Sequence, residues 1–373
     1  MTNKLRIAVI GGGRLGGFHA QKLAQRHDVT LVAIVDPLAA SRERIAAECK
    51  TKACADYAGL LTQIDAAVIA APTSLHYDIA RELLASGIHL LVEKPLSATL
   101  AEADELVALA RQQSAVLQVG HVERFNPAFH GAASQVRHPK YIEAVRANGF
   151  TFRSMDVGVV LDLMIHDIDL VLSLVRSPLR KVEALGVSVL GGHEDVANAR
   201  LEFESGCVAA LSASRVSHEP VRRMQIWSAR AFAGIDFAGR TTTLVRPSKT
   251  LRQRNFHVDR LTAEQTEYHR QHFAEEQLPR EQLAFEAVDA LALEQDDFVE
   301  AIRTPRQPRV DGAAGRDALA VAEQILAGIR SHCWDASDDG PAGPLALPRS
   351  YVIPAPHFNL GIFPRPAVHD KAG

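Results

Sequence analysis

Arg6-Ile7-Ala8-Val9-Ile10-Gly11-Gly12-Gly13-Arg14-Leu15-Gly16 is an apolar run that ends in three glycines, with a fourth glycine five residues after the first. Arg6–Ile10 reads as a strand, and Leu15, Phe18 and Leu23 mark a helix that opens straight after the turn. In that setting Gly11 makes the tight turn, Gly13 lets the backbone approach a pyrophosphate, and Gly16 lets the helix lie close on the strand. The start of the helix offers unpaired N–H groups and a partial positive charge to phosphates. A P-loop is excluded because Phe18, not lysine, follows Gly17.

Working outward, Asp36 ends the next apolar run, Leu31–Val35, twenty residues after Gly16. An acid there accepts hydrogen bonds from the adenosine ribose and repels a 2′-phosphate, which predicts NAD over NADP. Pro37 follows, and no Lys or Arg stands before Arg42. Further strands read at Ala66–Ala70, His89–Val92 and Val116–Val119. Helical patterns lie near Leu15–Arg26, Ala39–Cys49, Leu75–Ala85 and Ala98–Arg111. The apolar runs lack strict alternation, as strands covered on both faces do. Strand–helix alternation at this spacing predicts an α/β Rossmann domain, a doubly wound parallel sheet, over residues 1–122.

The pattern changes near Gly120. A polar stretch with Arg124, Asn126 and Pro127 precedes a strand near Tyr141–Asn148, and then an apolar segment, Val157–Leu174, with acids and a histidine embedded in it. Strand-like runs follow at Arg180–Leu190, Ala197–Glu204, Val208–Ser214, Met224–Ser228 and Thr241–Val245, with a hairpin turn at Ser205-Gly206. Short links between successive strands predict an antiparallel sheet, so residues 123–335 read as an α+β domain. Ser248 to Arg280 is hydrophilic and reads as an irregular excursion. Helices are expected at Leu291–Ile302 and Ala318–Ile329, and residues 336–373 form a Pro/Gly-rich extension.

The 373 residues suit two domains, and 47% hydrophobic with 23% charged residues is a globular balance. A formal net charge of −3 gives no basic excess for nucleic acid or an anionic membrane. No apolar run reaches the roughly 20 residues that span a bilayer. The amino terminus lacks the pattern of a secretory signal. Cys49, Cys54, Cys207 and Cys333 are scattered, as free thiols in a reducing compartment are, and a cytoplasmic location is expected.

Three features bear on chemistry. Glu93-Lys94-Pro95 follows the fourth strand, where ligands bind in open α/β sheets, so Lys94 can favour a developing alkoxide. Ala71-Pro72-Thr73 follows the third strand and would shape the loop beside the cofactor; His76, nearby, reads as a packing or capping residue. In Asp162-Leu163-Met164-Ile165-His166-Asp167-Ile168-Asp169, a helix would put Asp162 and His166 on one face. His166 then suits a general base, and Asp162 can orient its imidazole and stabilise its charged form, or contact substrate hydroxyls. A buried, structurally paired histidine remains an alternative, as does a metal held by the Asp/His cluster, although no further ligand cluster stands out and hydride transfer needs no metal.

Together these residues resemble the family of glucose–fructose oxidoreductase, inositol dehydrogenase and MocA-type proteins. The motifs that carry the resemblance are the glycine turn, Glu93-Lys94-Pro95, and Asp162-x-x-x-His166 followed by Asp169. It implies a second domain with a large, mostly antiparallel open sheet whose free face makes a homodimer or homotetramer. It also implies a catalytic set of Lys94, Asp162 and His166. The expected cofactor set is Gly11, Gly13, Arg14, Leu15, Asp36, Pro72, Thr73, Glu93 and Lys94. Val119-Gly120-His121-Val122-Glu123-Arg124-Phe125-Asn126-Pro127 and Asp156 to Asp169 are similar to the branch that contains UDP-N-acetylglucosamine 3-dehydrogenase. Arg124, Asn126, Arg153, Asp169 and Arg215 are the substrate candidates, the three arginines because guanidinium forks suit a diphosphate.

The resulting expectation is an NAD-dependent dehydrogenase that turns a secondary hydroxyl of a sugar or sugar nucleotide into a ketone, with UDP-N-acetylglucosamine at its 3-hydroxyl as the favoured substrate. An inositol or free-hexose dehydrogenase is the enzymatic alternative. A non-catalytic dinucleotide-binding regulator is the alternative of another class, although such a protein would need none of Lys94, Asp162 and His166.

Overall fold

A computed structural model describes residues 4–152, 157–190 and 192–332. Arg153, Cys333 and the extension 336–373 lie outside the described residues. The first unit is a six-stranded parallel sheet. Its strands are β1 (Leu5–Ile10), β2 (Val29–Val35), β3 (Lys52–Cys54), β4 (Ala66–Ile69), β5 (His89–Glu93) and β6 (Leu117–Gly120), in the order β3-β2-β1-β4-β5-β6. The order reverses at β1, the position beyond which open α/β sheets bind ligands. Helices α1 (Arg14–Gln25), α2 (Ala39–Cys49), α3 (His76–Ala85) and α4 (Leu100–Gln112) make the crossovers.

Both faces of this sheet are buried, which is why its strands read as unbroken apolar runs. Ile7 and Val9 pack with Ala20 and Leu23 of α1 and with Ile45 of α2. Ala8 and Ile10 point the other way, into a layer with Leu83 of α3 and Leu106 of α4. Burial of each large side chain contributes roughly 1.5–3 kcal/mol.

The second unit begins with helix α5 (Pro127–Ala133), strand β7 (Tyr141–Ala147) and helix α6 (Ile165–Val175). Strands β8 (Leu179–Val187), β9 (Val196–Phe203), β10 (Val208–Ser214), β11 (Val221–Trp227), β12 (Phe232–Asp236) and β13 (Thr241–Val245) follow. Then come α7 (Lys249–Arg252), α8 (Ala263–Gln277), β14 (Arg280–Ala284), α9 (Ala290–Arg303) and α10 (Gly312–Ser331). The eight strands lie in the order β14-β13-β12-β11-β7-β10-β9-β8, and every neighbouring pair is antiparallel except β7 with β10. The Ser205-Gly206 turn joins β9 to β10, with Gly206 at φ 78° and its N–H donating to the Phe203 carbonyl.

One face of this sheet is covered by α5, α6 and α10. The other carries the half-buried rings of Tyr141, Trp227 and Phe232, which lie tilted in a row with centroids 5.2 and 5.1 Å apart. The chain then returns to the first unit: Phe298 and Val299 of α9 complete the layer around Ile7 and Val9. The start of α10 presses on β6 so closely that a Cβ at Gly315 would stand 2.4 Å from a methyl of Val119.

The stretch from Ser248 to Arg280 corrects the expectation of an irregular excursion. It contains the fifteen-residue helix α8, closed at its start by a reciprocal capping box between Thr262 and Gln265. No residue of α8 is buried, so it carries no apolar stripe that a period could reveal. Among the described residues no helix is long and apolar enough to cross a membrane.

Candidate active site

The glycine turn adopts the geometry a dinucleotide requires. Gly11 has φ 108°, and a Cβ there would stand 2.4 Å from the Ala70 carbonyl oxygen. A Cβ at Gly16 would collide with the Gly11 carbonyl, so α1 can lie against β1 only with glycine at this place. A Cβ at Gly13 would meet nothing within 4 Å, which leaves this backbone open to an approaching phosphate. Gly13 is also the N-cap of α1, with Arg14 and Leu15 in its first turn. Asp36 closes β2 with its carboxylate accepting from Gly12 N at 2.6 Å and from Leu38 N at 2.8 Å. The acid is thus fixed beside the turn with acceptor capacity remaining. These features fit a dinucleotide.

Beyond β4, Pro72 leads into a tight turn, Thr73–Leu75. His76 ties this loop to the one after β5: its Nδ1 lies 2.8 Å from the Pro95 carbonyl oxygen and its Nε2 2.8 Å from that of Ala71. The Lys94–Pro95 bond is cis. Lys94 Nζ donates to the Asp162 carbonyl oxygen at 2.7 Å and approaches its carboxylate at 3.2 Å.

Asp162 belongs to a π-helical turn, Val160–Met164, that precedes α6. The wider turn shifts the phase between Asp162 and His166, and no hydrogen bond joins them among the described residues. The expectation that Asp162 orients His166 is therefore corrected: its carboxylate holds Lys94. The α6 segment that carries His166 is anchored instead by Arg146 of β7, which makes a two-pronged contact with Asp167 at 3.0 and 2.8 Å and reaches Glu123 at 2.7 Å.

His166 Nδ1 is buried without a partner. Burial, reinforced by the Lys94 charge, holds the His166 imidazole well below its usual range, so the ring is neutral. His121, just past β6, packs edge-on against it with ring centroids 6.1 Å apart. Both His121 nitrogens are buried and unpartnered, and burial together with Lys94 lowers this ring to about 3. The sequence reading gave His121 no role of its own. Its signal was its place after the strand that ends at Gly120, since the neighbouring strand ends in the same way before Lys94.

The expected substrate residues separate. Arg124 Nε stands 3.5 Å from Asp169, and its Nη2 donates to the Arg309 carbonyl. Asp169 is fully buried, and burial pushes its carboxyl up to about 7 against the opposing pull of Arg124. Asn126 caps α5, its side chain accepting from Ala128 N at 3.1 Å. Arg215 is committed to a buried ion pair with Asp195 at 2.6 Å and to the Val157 carbonyl at 2.8 Å, so it is held by the fold and not presented to a substrate. Glu93 also turns inward, onto His19 at 2.7 Å.

His19, Glu93 and Glu294 place ligand atoms within 4.8 Å of one another. The hydrogen bonds around them favour a proton over a metal. Gln295 Nε2 donates to both His19 Nδ1 and the His19 carbonyl, which leaves Nε2–H to donate to Glu93. Burial and the neighbouring Glu93 then raise the Glu294 carboxyl well above its usual value.

The model described as an oxidoreductase family with an NAD-binding Rossmann fold, of the Gfo/Idh/MocA group, matches residues 5–121. The Gfo/Idh/MocA C-terminal domain matches residues 119–231. UDP-N-acetylglucosamine 3-dehydrogenase of Acidithiobacillus ferrooxidans is 36% identical over 331 residues, 88% of this chain and 98% of that protein. A solved structure of that enzyme superposes with a TM-score of 0.76 at 35% identity, covering 87% of this chain and 98% of its own. The NAD(+)-dependent scyllo-inositol 2-dehydrogenase of Bacillus subtilis is 29% identical, over 58% of this chain and 69% of that protein. A levoglucosan dehydrogenase solved with NADH shares the fold, with a TM-score of 0.73 at 17% identity over 88% of this chain and 97% of its own. From its two sheets, its glycine turn and these matches, the chain belongs to the Gfo/Idh/MocA family of oxidoreductases.

Proposed function

We propose that this oxidoreductase uses NAD to oxidise the 3-hydroxyl of UDP-N-acetylglucosamine to a ketone. The observation that carries the chemistry is the convergence of Lys94, Asp162, His121 and His166 where the parallel sheet meets α6. The substrate rests on the Acidithiobacillus relative, which the chain matches over nearly its whole length.

Gly11, Gly13, Arg14, Leu15 and Asp36 would hold NAD, with Pro72 and Thr73 alongside, and the bound nicotinamide would supply the hydride acceptor. The neutral His166 ring accepts the hydroxyl proton. Lys94 donates a hydrogen bond to the same oxygen as its negative charge develops, and Asp162 holds the ammonium in place. Asp36 supports NAD over NADP through its fixed negative charge. Residues 1–122 would hold the cofactor and residues 123–335 the sugar. The row of Tyr141, Trp227 and Phe232 on the open sheet face suits a homodimer or homotetramer contact. A cytoplasmic location fits a nucleotide-sugar enzyme with scattered free thiols.

The test is NADH formation, read as absorbance, with UDP-N-acetylglucosamine, its uronic acid, myo-inositol and glucose. Turnover of the first well above the others supports the reading. Preference for inositol or glucose overturns the substrate, and tight NAD binding without any turnover would indicate a regulator.

A further inference from the structure

A groove of about 790 Å³ lies between α5 and the carboxyl half of α6. Six cationic or titratable side chains line it: Arg124, His130, Arg137, His138, Arg176 and Arg309. No carboxylate is among its described lining residues. Four guanidinium groups in one concavity focus a positive field far beyond the chain's own net charge of −3. The carboxyl end of α6 brings only about half a negative charge to the same place.

Among the described residues, three of the four guanidinium groups, all but that of Arg124, meet no carboxylate. Arg176 donates to the Ser173 carbonyl at 3.1 Å. Arg309 contacts His130 and lies over the Phe125 ring at 4.9 Å. Arg137 has no hydrogen-bond or ion-pair partner among the described residues. Arg124 alone meets an acid, Asp169, and its Nε is buried without a hydrogen bond. Burial first, then the charge of Arg309, keeps His130 below its usual range.

The inner end of the groove is tied to the catalytic cluster. Asp169, which Arg124 touches, follows His166 by three residues, about 4.5 Å along the helix axis. A diphosphate held by Arg124 would therefore lie beside the helix that carries His166.

We infer that this groove binds the nucleoside diphosphate half of the substrate, with Arg124 and Arg309 on the diphosphate and Arg137 and Arg176 toward its outer end. The inference rests on the sugar-nucleotide reading above and adds the residues that would select a nucleotide-linked sugar over a free one.

The experiment is calorimetric titration of the full chain with UDP, UMP and inorganic phosphate. UDP has no sugar hydroxyl to oxidise, so its binding does not depend on the reaction assigned. UDP is expected to bind more tightly than UMP or phosphate, and Arg309→Ala and Arg137→Ala, both at exposed positions, each to weaken it about tenfold. Wild-type affinity for UDP in both variants, or no UDP binding to the unaltered chain, overturns the inference. Phosphate binding as tight as UDP overturns the nucleotide assignment. UDP binding through the groove without turnover of UDP-N-acetylglucosamine would sink the proposed reaction and leave the groove standing. Turnover with an unchanged KM in both variants would do the reverse.

Discussion

Lys94 of the cofactor domain reaches across to Asp162 of the second domain, with its Nζ 2.7 Å from the backbone oxygen and 3.2 Å from the carboxylate. The loop after β5 and the π-helical turn before α6 thus meet at one ammonium. Lys94→Ala is expected to lower kcat about 10²- to 10⁴-fold, the range of a positioned proton or charge partner. Asp162→Asn keeps the backbone contact and is expected to cost less. Steady-state kinetics with saturating cofactor decide it, and a Lys94→Ala variant near wild-type rate would contradict the role.

His166→Ala is expected to lower kcat by a similar factor of roughly 10²–10⁴ while NAD affinity stays close to wild type. The ring is held neutral by burial and by Lys94, so its base form persists into acid. The acid limb of the rate profile is therefore expected below the ordinary histidine range. A variant that retains most of its activity would remove His166 from the mechanism.

Asp36 accepts from Gly12 N and Leu38 N and should discriminate between cofactors through its charge. Asp36→Ala is expected to weaken NAD about tenfold or more and to narrow the preference over NADP, as one lost charge-assisted hydrogen bond implies. Titration of both cofactors by fluorescence measures this, and an unchanged ratio would refute the assignment.

Asp169 is buried, with its carboxyl pushed up to about 7. A carboxyl whose pKa is higher folded than unfolded binds more protons in the native state, so its contribution is full below about 4 and is lost as pH rises to about 7. Wild type is expected to lose about 2 kcal/mol more stability than Asp169→Asn between pH 5 and pH 8. Denaturant melts at the two pH values test this, and parallel losses in both proteins would contradict it.

Much of the fold was legible because its determinants are local. Gly11, Gly13 and Gly16 act within one turn, and unbroken runs such as Ile7 to Ile10 show burial on both faces. β3 escaped because Lys52–Cys54 is three residues long at a sheet edge, and β12 because Gly234 interrupts its apolar signal. Helix α8 escaped for want of an apolar stripe, although Thr262 and Gln265 had spelled its cap. The site was legible by residue type but not by partner. Asp162 and His166 stand four apart in sequence, yet Asp162 binds a lysine 68 residues away. Arg215 reads as a free cation until Asp195 folds onto it, and Glu93 reads as a cofactor contact until His19 and Glu294 close around it. Such pairings depend on tertiary packing, which periodicity does not encode.

The proposed reaction removes hydride from one carbon of one sugar nucleotide. UDP-N-acetylglucosamine deuterated at C3, incubated with the enzyme and NAD, tests it most directly. One deuterium in the reduced cofactor, a 3-keto sugar nucleotide as product, and a slowed hydride step in single-turnover measurements are expected. Cofactor reduced without deuterium, or no reduction with this substrate under conditions where NAD is bound, would contradict it.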